Sequence, residues 1–156
     1  MDAVKRLALV AHDSRKNDLI RWAIRHKEAL SRHVLCSTGT TGALLEKILG
    51  LPVERLKSGP LGGDQQLGSR IACDRLDGIV FLWDPLNSQP HDSDIKALLR
   101  IATLYNIPMA CNMSSADFLF SSPLMDQPYD NVRRDFDSYQ ERRNKEAIEK
   151  YREQEG

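Results

Sequence analysis

A surplus of charge of either sign is missing from this sequence. Twenty-two Lys and Arg residues offset twenty-two Asp and Glu, and the formal net charge is zero. A chain that neutralises a phosphate backbone normally carries a basic surplus, so the balance argues against nucleic acid as a partner. Long hydrophobic runs are missing too. The longest unbroken ones, Leu7–Ala11 and Ile79–Trp83, have five residues each, too few for a membrane span or the core of a secretion signal. Their absence excludes a membrane partner and makes the cytoplasm the default location. Cysteine is scarce: Cys36, Cys73 and Cys111 stand more than thirty residues apart without a C-x-x-C pair. That spacing suits neither a zinc site nor a disulfide framework, so the three are expected to be reduced, mostly buried apolar side chains. The nucleotide loops G-x-x-x-x-G-K-[ST] and, after the first apolar run, G-x-G-x-x-G do not occur, which argues against ATP or NAD. No His, Asp or Glu grouping has convincing metal spacing; His91-x-x-Asp94 comes nearest.

What is present suits one folded domain. The 156 residues are 41% hydrophobic and 28% charged, ordinary for a globular chain that buries about two-thirds of its unfolded surface. Apolar, β-rich runs alternate with amphipathic helical stretches, the pattern of a parallel sheet covered by helices. Strands are predicted at Leu7–Ala11, Val34–Ser37, Val53–Lys57, Ile79–Trp83 and Pro108–Asn112. Helices are predicted over Arg15–Leu30, Gly42–Leu49, Gln65–Asp74, Asp94–Tyr105 and Ser114–Ser121. Leu19, Ile20, Trp22, Ala23 and Leu30 form the expected core face of the first helix. The regular repeat of this unit predicts a doubly wound α/β sandwich. From Arg133 to Gly156 the character changes, with seven basic and seven acidic side chains. Phe136, Tyr139, Arg143, Ala147 and Tyr151 recur at helical spacing there, and fraying is expected beyond about Lys145.

In open parallel sheets ligands bind beyond the carboxyl ends of the strands. The first strand ends in His12-Asp13, with Lys16 one turn on. The second ends in Ser37-Thr38-Gly39-Thr40-Thr41-Gly42, and the third in Ser58-Gly59-Pro60-Leu61-Gly62-Gly63-Asp64-Gln65-Gln66. The fourth runs into Asp84-Pro85 and then Pro90-His91-Asp92-Ser93-Asp94, and the fifth ends in Asn112. Seven of nine glycines lie between Gly39 and Gly68, where the backbone can turn tightly and present its N–H groups to a ligand. Thr38–Gly42 opens a helix, whose free N–H groups and hydroxyls make an anion site, with Lys16 as countercharge. Ordinary N-capping accounts equally well for Thr38–Gly42 alone, and a plain turn for Ser58–Gly63. Both loops beside one lysine point to a monophosphate pocket for a small metabolite.

The acidic residues then need a role, since carboxylates repel phosphate. Asp64 falls at a helix start, where the dipole is expected to keep it ionised, and an ionised carboxylate beside a carbon acid can abstract a proton next to a carbonyl. His12 and His91 can polarise the carbonyl oxygen or relay its proton. Asp13, Asp84 and Asp94 can orient those imidazoles or serve as caps at strand–helix junctions. His26 and His33 read as surface residues.

These residues, together with Asp84-Pro85-Leu86, Pro90-His91-Asp92 and Lys96-Ala97-Leu98-Leu99-Arg100, closely resemble the bacterial methylglyoxal synthase family over about residues 5 to 145. Ser58–Gln66 is the most specific stretch. The resemblance implies conversion of dihydroxyacetone phosphate to methylglyoxal and inorganic phosphate without a metal or organic cofactor. It also implies a flavodoxin-like or Rossmann-like sandwich, with a mostly parallel five-stranded sheet and helices on both faces, assembled as a homohexamer. Asp64 matches the family's catalytic base. His91 and Asp94 match residues that handle the carbonyl oxygen and shuttle protons. His12, Lys16, Thr38, Gly39, Thr40, Thr41, Ser58 and Gly59 match substrate and phosphate contacts, with Asp13 and Asp84 in support. Arg143 matches an arginine that reaches a neighbouring subunit's site. Inorganic phosphate is implied as product and inhibitor.

Ser93, Ser37 and Ser115 replace a common proline, alanine and threonine of that pattern, and none removes a functional group. Residues 1–145 then form the catalytic domain and 146–156 a charged helical tail beyond the family's usual length. The competing expectation is a regulatory module that binds a phosphorylated effector. Such a module needs the phosphate loops but not Asp64, His91 and Asp94 together.

Overall fold

The alternation of apolar runs and amphipathic stretches builds a layered sandwich in the computed structural model, which describes residues 1–88, 91–132 and 135–155. Pro90 of the quoted motif, and Arg133, Arg134 and Gly156 of the charged tail, lie outside the described residues. Strands β1 (Arg6–Ala11), β2 (Val34–Thr38), β3 (Val53–Leu56), β4 (Gly78–Leu82) and β5 (Met109–Ala110) form one sheet in the order β3-β2-β1-β4-β5. Every pair is parallel. This order is the Rossmann one, not the flavodoxin one, in which the second strand lies at the edge.

The helices are α1 (Lys16–Arg25), α2 (Lys27–Leu30), α3 (Gly39–Leu49), α4 (Gly63–Ala72), α5 (Asp92–Leu104), α6 (Met113–Ser121) and α7 (Phe136–Glu155). Successive strand residues face opposite ways, and β1 uses both directions. Leu7, Leu9 and Ala11 join Leu19 and Trp22 of α1, Leu45 of α3 and Ala116 of α6 in one core. Ala8 and Val10 join Leu67 of α4 and Ile95 and Leu98 of α5 in the other. Helices therefore cover both faces.

Local contacts shift several boundaries. The helix predicted over Arg15–Leu30 breaks at His26, where Asp117 of α6 accepts from Trp22 Nε1 at 2.9 Å and His26 Nε2 at 2.8 Å. Neither His26 nor His33 is a plain surface residue. The His33 side chain is buried, with Nδ1 accepting the Lys5 N–H at 3.2 Å, a contact twenty-eight residues away that periodicity cannot reveal. Cys36 is buried and Cys111 partly so, but Cys73 ends α4 in the open. β5 is shorter than predicted because Asn112 leaves the ladder to cap α6, accepting the Ser115 N–H at 2.9 Å. The last helix is continuous from Phe136 to Glu155 and carries pairs such as Arg142–Glu146 and Arg143–Glu146.

The chain leaves β1 toward β2 and β4 toward β5, in opposite directions, and such a reversal opens a crevice at the carboxyl ends of the two central strands. At their amino ends, Asp77 pins the pair together. It accepts from the Arg6 backbone N–H, Nε and Nη2, each at 2.8 Å. Burial pushes the Asp77 carboxyl up, but the hydrogen bonds and charge of Arg6 outweigh it and hold the group below its ordinary value. A depressed folded pKa gives stability that is whole above the unfolded value of about 4 and vanishes as pH falls through the folded value. Asp77→Ala is expected to cost about 2–4 kcal/mol at pH 7. Urea unfolding measures it, and the deficit should shrink in acid.

Candidate active site

The crevice is a cavity of about 590 Å³, and its lining includes His12, Asp13, Lys16, Thr38, Gly39, Thr40, Thr41, Ser58, Gly59, Asp64 and His91. Residues dispersed over eighty positions of sequence thus meet at one end of the sheet. Among the described residues, no group of three or more His, Cys, Asp or Glu is arranged to hold a metal ion, and no helix is long and apolar enough to cross a membrane.

His12 leaves β1 held by β4: its N–H donates to the Leu82 carbonyl at 3.2 Å. Its Nδ1 accepts the Asp84 N–H at 3.3 Å, which puts the proton of the neutral ring on Nε2. That Nε2 is buried without a protein partner. Burial first, then the neighbouring His91, hold the His12 pKa below its ordinary value, so at neutral pH the ring offers an uncharged N–H. Asp84 itself is engaged elsewhere, accepting from Ser14 Oγ at 2.7 Å and the Leu86 N–H at 3.1 Å.

β2 runs directly into α3. Thr38 at the N-cap makes no side-chain capping bond, and the first turn carries no acidic residue. The N–H groups of that turn therefore remain available at the positive end of the helix. Thr38 and Thr41 are buried. Lys16 Nζ donates to Thr40 Oγ1 at 2.6 Å and pairs with Asp13 Oδ1 at 2.6 Å, and Lys16 holds the Asp13 carboxyl below its ordinary value.

The third loop folds back tightly. The Leu61 and Gly63 N–H groups both donate to the Ser58 carbonyl, at 3.0 and 2.9 Å. A Cβ on Gly63 would stand 2.2 Å from the Lys57 carbonyl oxygen, and one on Gly59 2.5 Å from His91 Nε2 and 3.0 Å from Asp64 Oδ2. Glycine at these two positions lets backbone, carboxylate and imidazole crowd together.

Asp64, in the first turn of α4, is only 3% exposed. Its Oδ2 makes no hydrogen bond and lies 3.5 Å from His91 Nε2. The helix start does not lower the Asp64 pKa, because desolvation outweighs it. Burial raises its pKa, and the opposing pull of His91 does not cancel that rise. A poorly solvated carboxylate is a stronger base than an ordinary one.

Three of the sequence-predicted residues do not line the cavity. Asp94 stands half-buried on α5, close enough for its charge to raise Asp64 further. Asp84 acts on His12 through its backbone. Arg143 lies exposed on α7, paired with Glu146 at 3.4 Å. One charged lining residue was missed: Arg55 of β3. Its only signal is its place three residues before Ser58, where a charged residue on a short strand reads as solvent-facing.

Gly59→Ala should keep the fold, because Gly59 lies outside the left-handed region and its closest obstacle is a ring end. The added methyl is expected to push His91 away from Asp64. Comparing the His91 NMR signals of the variant and the wild type measures this, and unchanged signals would refute the crowding.

Comparison with known proteins is consistent with this geometry. Residues 18–111 match the MGS-like domain family. The chain is 57% identical over 130 residues to a methylglyoxal synthase of Leptospira interrogans, covering 83% of this chain and 88% of that one. It is 60% identical over 120 residues to the methylglyoxal synthase of Pseudoalteromonas atlantica, covering 77% and 89%. The crystal structure of methylglyoxal synthase from Elizabethkingia anophelis superposes with a TM-score of 0.84 at 51% identity, over 89% of this chain and 91% of that one. Identity of this extent over most of both chains, carried on the same fold, shows that the chain belongs to the methylglyoxal synthase family.

Proposed function

We propose that this protein converts dihydroxyacetone phosphate to methylglyoxal and inorganic phosphate, in the cytoplasm, through the cavity at the β1–β4 crevice. Asp64 carries the reading: a buried carboxylate with a bare oxygen, 3.5 Å from an imidazole, beside a helix N-terminus suited to phosphate. The first-turn N–H groups of α3, with Thr38, Thr40, Thr41, Ser58, the Gly39 and Gly59 backbone and Lys16, hold the phosphate. Asp13 supports Lys16.

Asp64 removes a proton from the hydroxyl-bearing carbon, and the electron pair moves to the carbonyl oxygen. The neutral His12 N–H polarises that oxygen, and His91, assisted by Asp94, protonates it to give the enediol. Asp84 holds the His12 tautomer. Loss of the remaining hydroxyl proton drives electrons through the double bond and expels phosphate as the carbon–oxygen bond breaks. The enol left behind ketonises to methylglyoxal. Expulsion requires that bond to stand roughly perpendicular to the enediol plane, so the loops gripping the phosphate favour elimination by orientation. Their N–H groups also stabilise the departing dianion.

Supplying dihydroxyacetone phosphate and assaying methylglyoxal and phosphate tests the reaction. Phosphate binding with no turnover would favour the effector-binding module instead. Asp64→Asn is expected to slow turnover about a hundredfold or more, with inorganic phosphate competing against substrate in the wild type. Because the base must be ionised and burial raises its pKa, kcat/KM should fall as the solution is acidified through a midpoint above about 4.

Arg143, exposed on α7, serves a neighbouring copy in a homohexamer. Sedimentation equilibrium is expected to give a hexamer. Co-refolding Asp64→Asn with Arg143→Ala should recover activity that neither has alone, because some mixed sites then hold both native residues. A monomer, or no recovery, would overturn that assignment.

A further inference from the structure

We infer that Arg55 is a second phosphate-gripping cation of the cavity, setting affinity for the substrate's phosphate and for free inorganic phosphate. This inference rests on the phosphate-binding reading above. β3 pairs with β2 so that Arg55 stands opposite Ser37, one step before Thr38. Val53 packs in the core that α3 covers, and Leu56 in the core on the other face. By strand alternation Arg55 shares the side of Val53 and α3. A Cβ on Gly42 would stand 3.1 Å from Arg55 Cγ. The bare glycine thus gives the arginine stem a lane past the first turn of α3, and the side chain lines the cavity there.

Charge bookkeeping makes this cation matter. Lys16 is already engaged by Asp13 and Thr40, at 2.6 Å each, so the Lys16–Asp13 pair brings almost no net charge to the pocket. Arg55 faces Glu46 at 3.9 Å, with the two side chains 60% and 46% exposed, a pairing too long and too hydrated to hold the guanidinium firmly. An arriving phosphate dianion offers the better partner, since two of its oxygens match the guanidinium fork. Arg55 is thus assigned to the phosphate and acts on binding.

Arg55→Ala should raise KM for dihydroxyacetone phosphate about tenfold and weaken phosphate inhibition by a similar factor. Arg55→Lys should recover part of the loss by keeping charge without the fork. Glu46→Gln, by removing the competitor, should tighten phosphate about twofold. Calorimetric titration with inorganic phosphate needs no turnover and separates the two proposals. Phosphate binding that weakens in Arg55→Ala, in a protein that makes no methylglyoxal, would defeat the proposed reaction and uphold Arg55. Arg55→Ala that binds phosphate as tightly as the wild type would overturn the role of Arg55, whatever the turnover.

Discussion

Two strands that are distant in sequence, β1 and β4, lie side by side from Leu7 against Gly78 to Ala11 against Leu82, and the site depends on that pairing. Both are buried along almost their whole length, so hydrophobic burial on two faces fixes their register. Because the chain turns away from them in opposite directions, their following loops diverge and leave a crevice. The same pairing reaches into the chemistry. The Leu82 carbonyl and the Asp84 N–H, both supplied from the β4 side, hold the backbone and ring of His12. A hydrogen bond across the sheet thus decides which ring nitrogen carries the proton.

The electrostatics of the cavity are a contest settled by packing. A helix N-terminus favours a carboxylate by only about 0.3–1 kcal/mol at an exposed position, whereas desolvation of a buried one can shift its pKa by several units. At Asp64 the second effect wins because the carboxylate is buried, with Gly59 packed against its Oδ2. The α3 N-terminus borders the same cavity with its own N–H groups unspent. An anion-attracting helix end and a poorly solvated base thus share one cavity, a combination suited to holding a phosphate and deprotonating a carbon near it.

Much of this was legible from the amino-acid order. Leu7–Ala11 and Ile79–Trp83 announce buried parallel strands, and the glycine-rich run from Gly39 to Gly68 announces loops that approach a ligand. Eleven of the fourteen candidate site residues line one cavity, because residues that follow parallel strands must emerge at the same edge of the sheet. Asp94, Asp84 and Arg143 do not line it, since position along a rim does not specify where a side chain ends. His26 and His33 were illegible because Asp117 and the Lys5 N–H, their partners, are far away in the chain. Arg55 was illegible because its lane exists only where Gly42 lies beneath it.

The sequence by itself determined the layered α/β architecture, the cluster of glycine-rich loops and the identity of the carboxylate and imidazoles that meet in the cavity. Periodicity and local turn chemistry act over a few residues and are written directly in the residue order. Only the tertiary structure decided the strand order, the tautomer of His12, the raised pKa of Asp64 and the presence of Arg55 in the cavity lining. Each of these depends on distances between distant segments, and desolvation and hydrogen bonding exist only once those segments have packed.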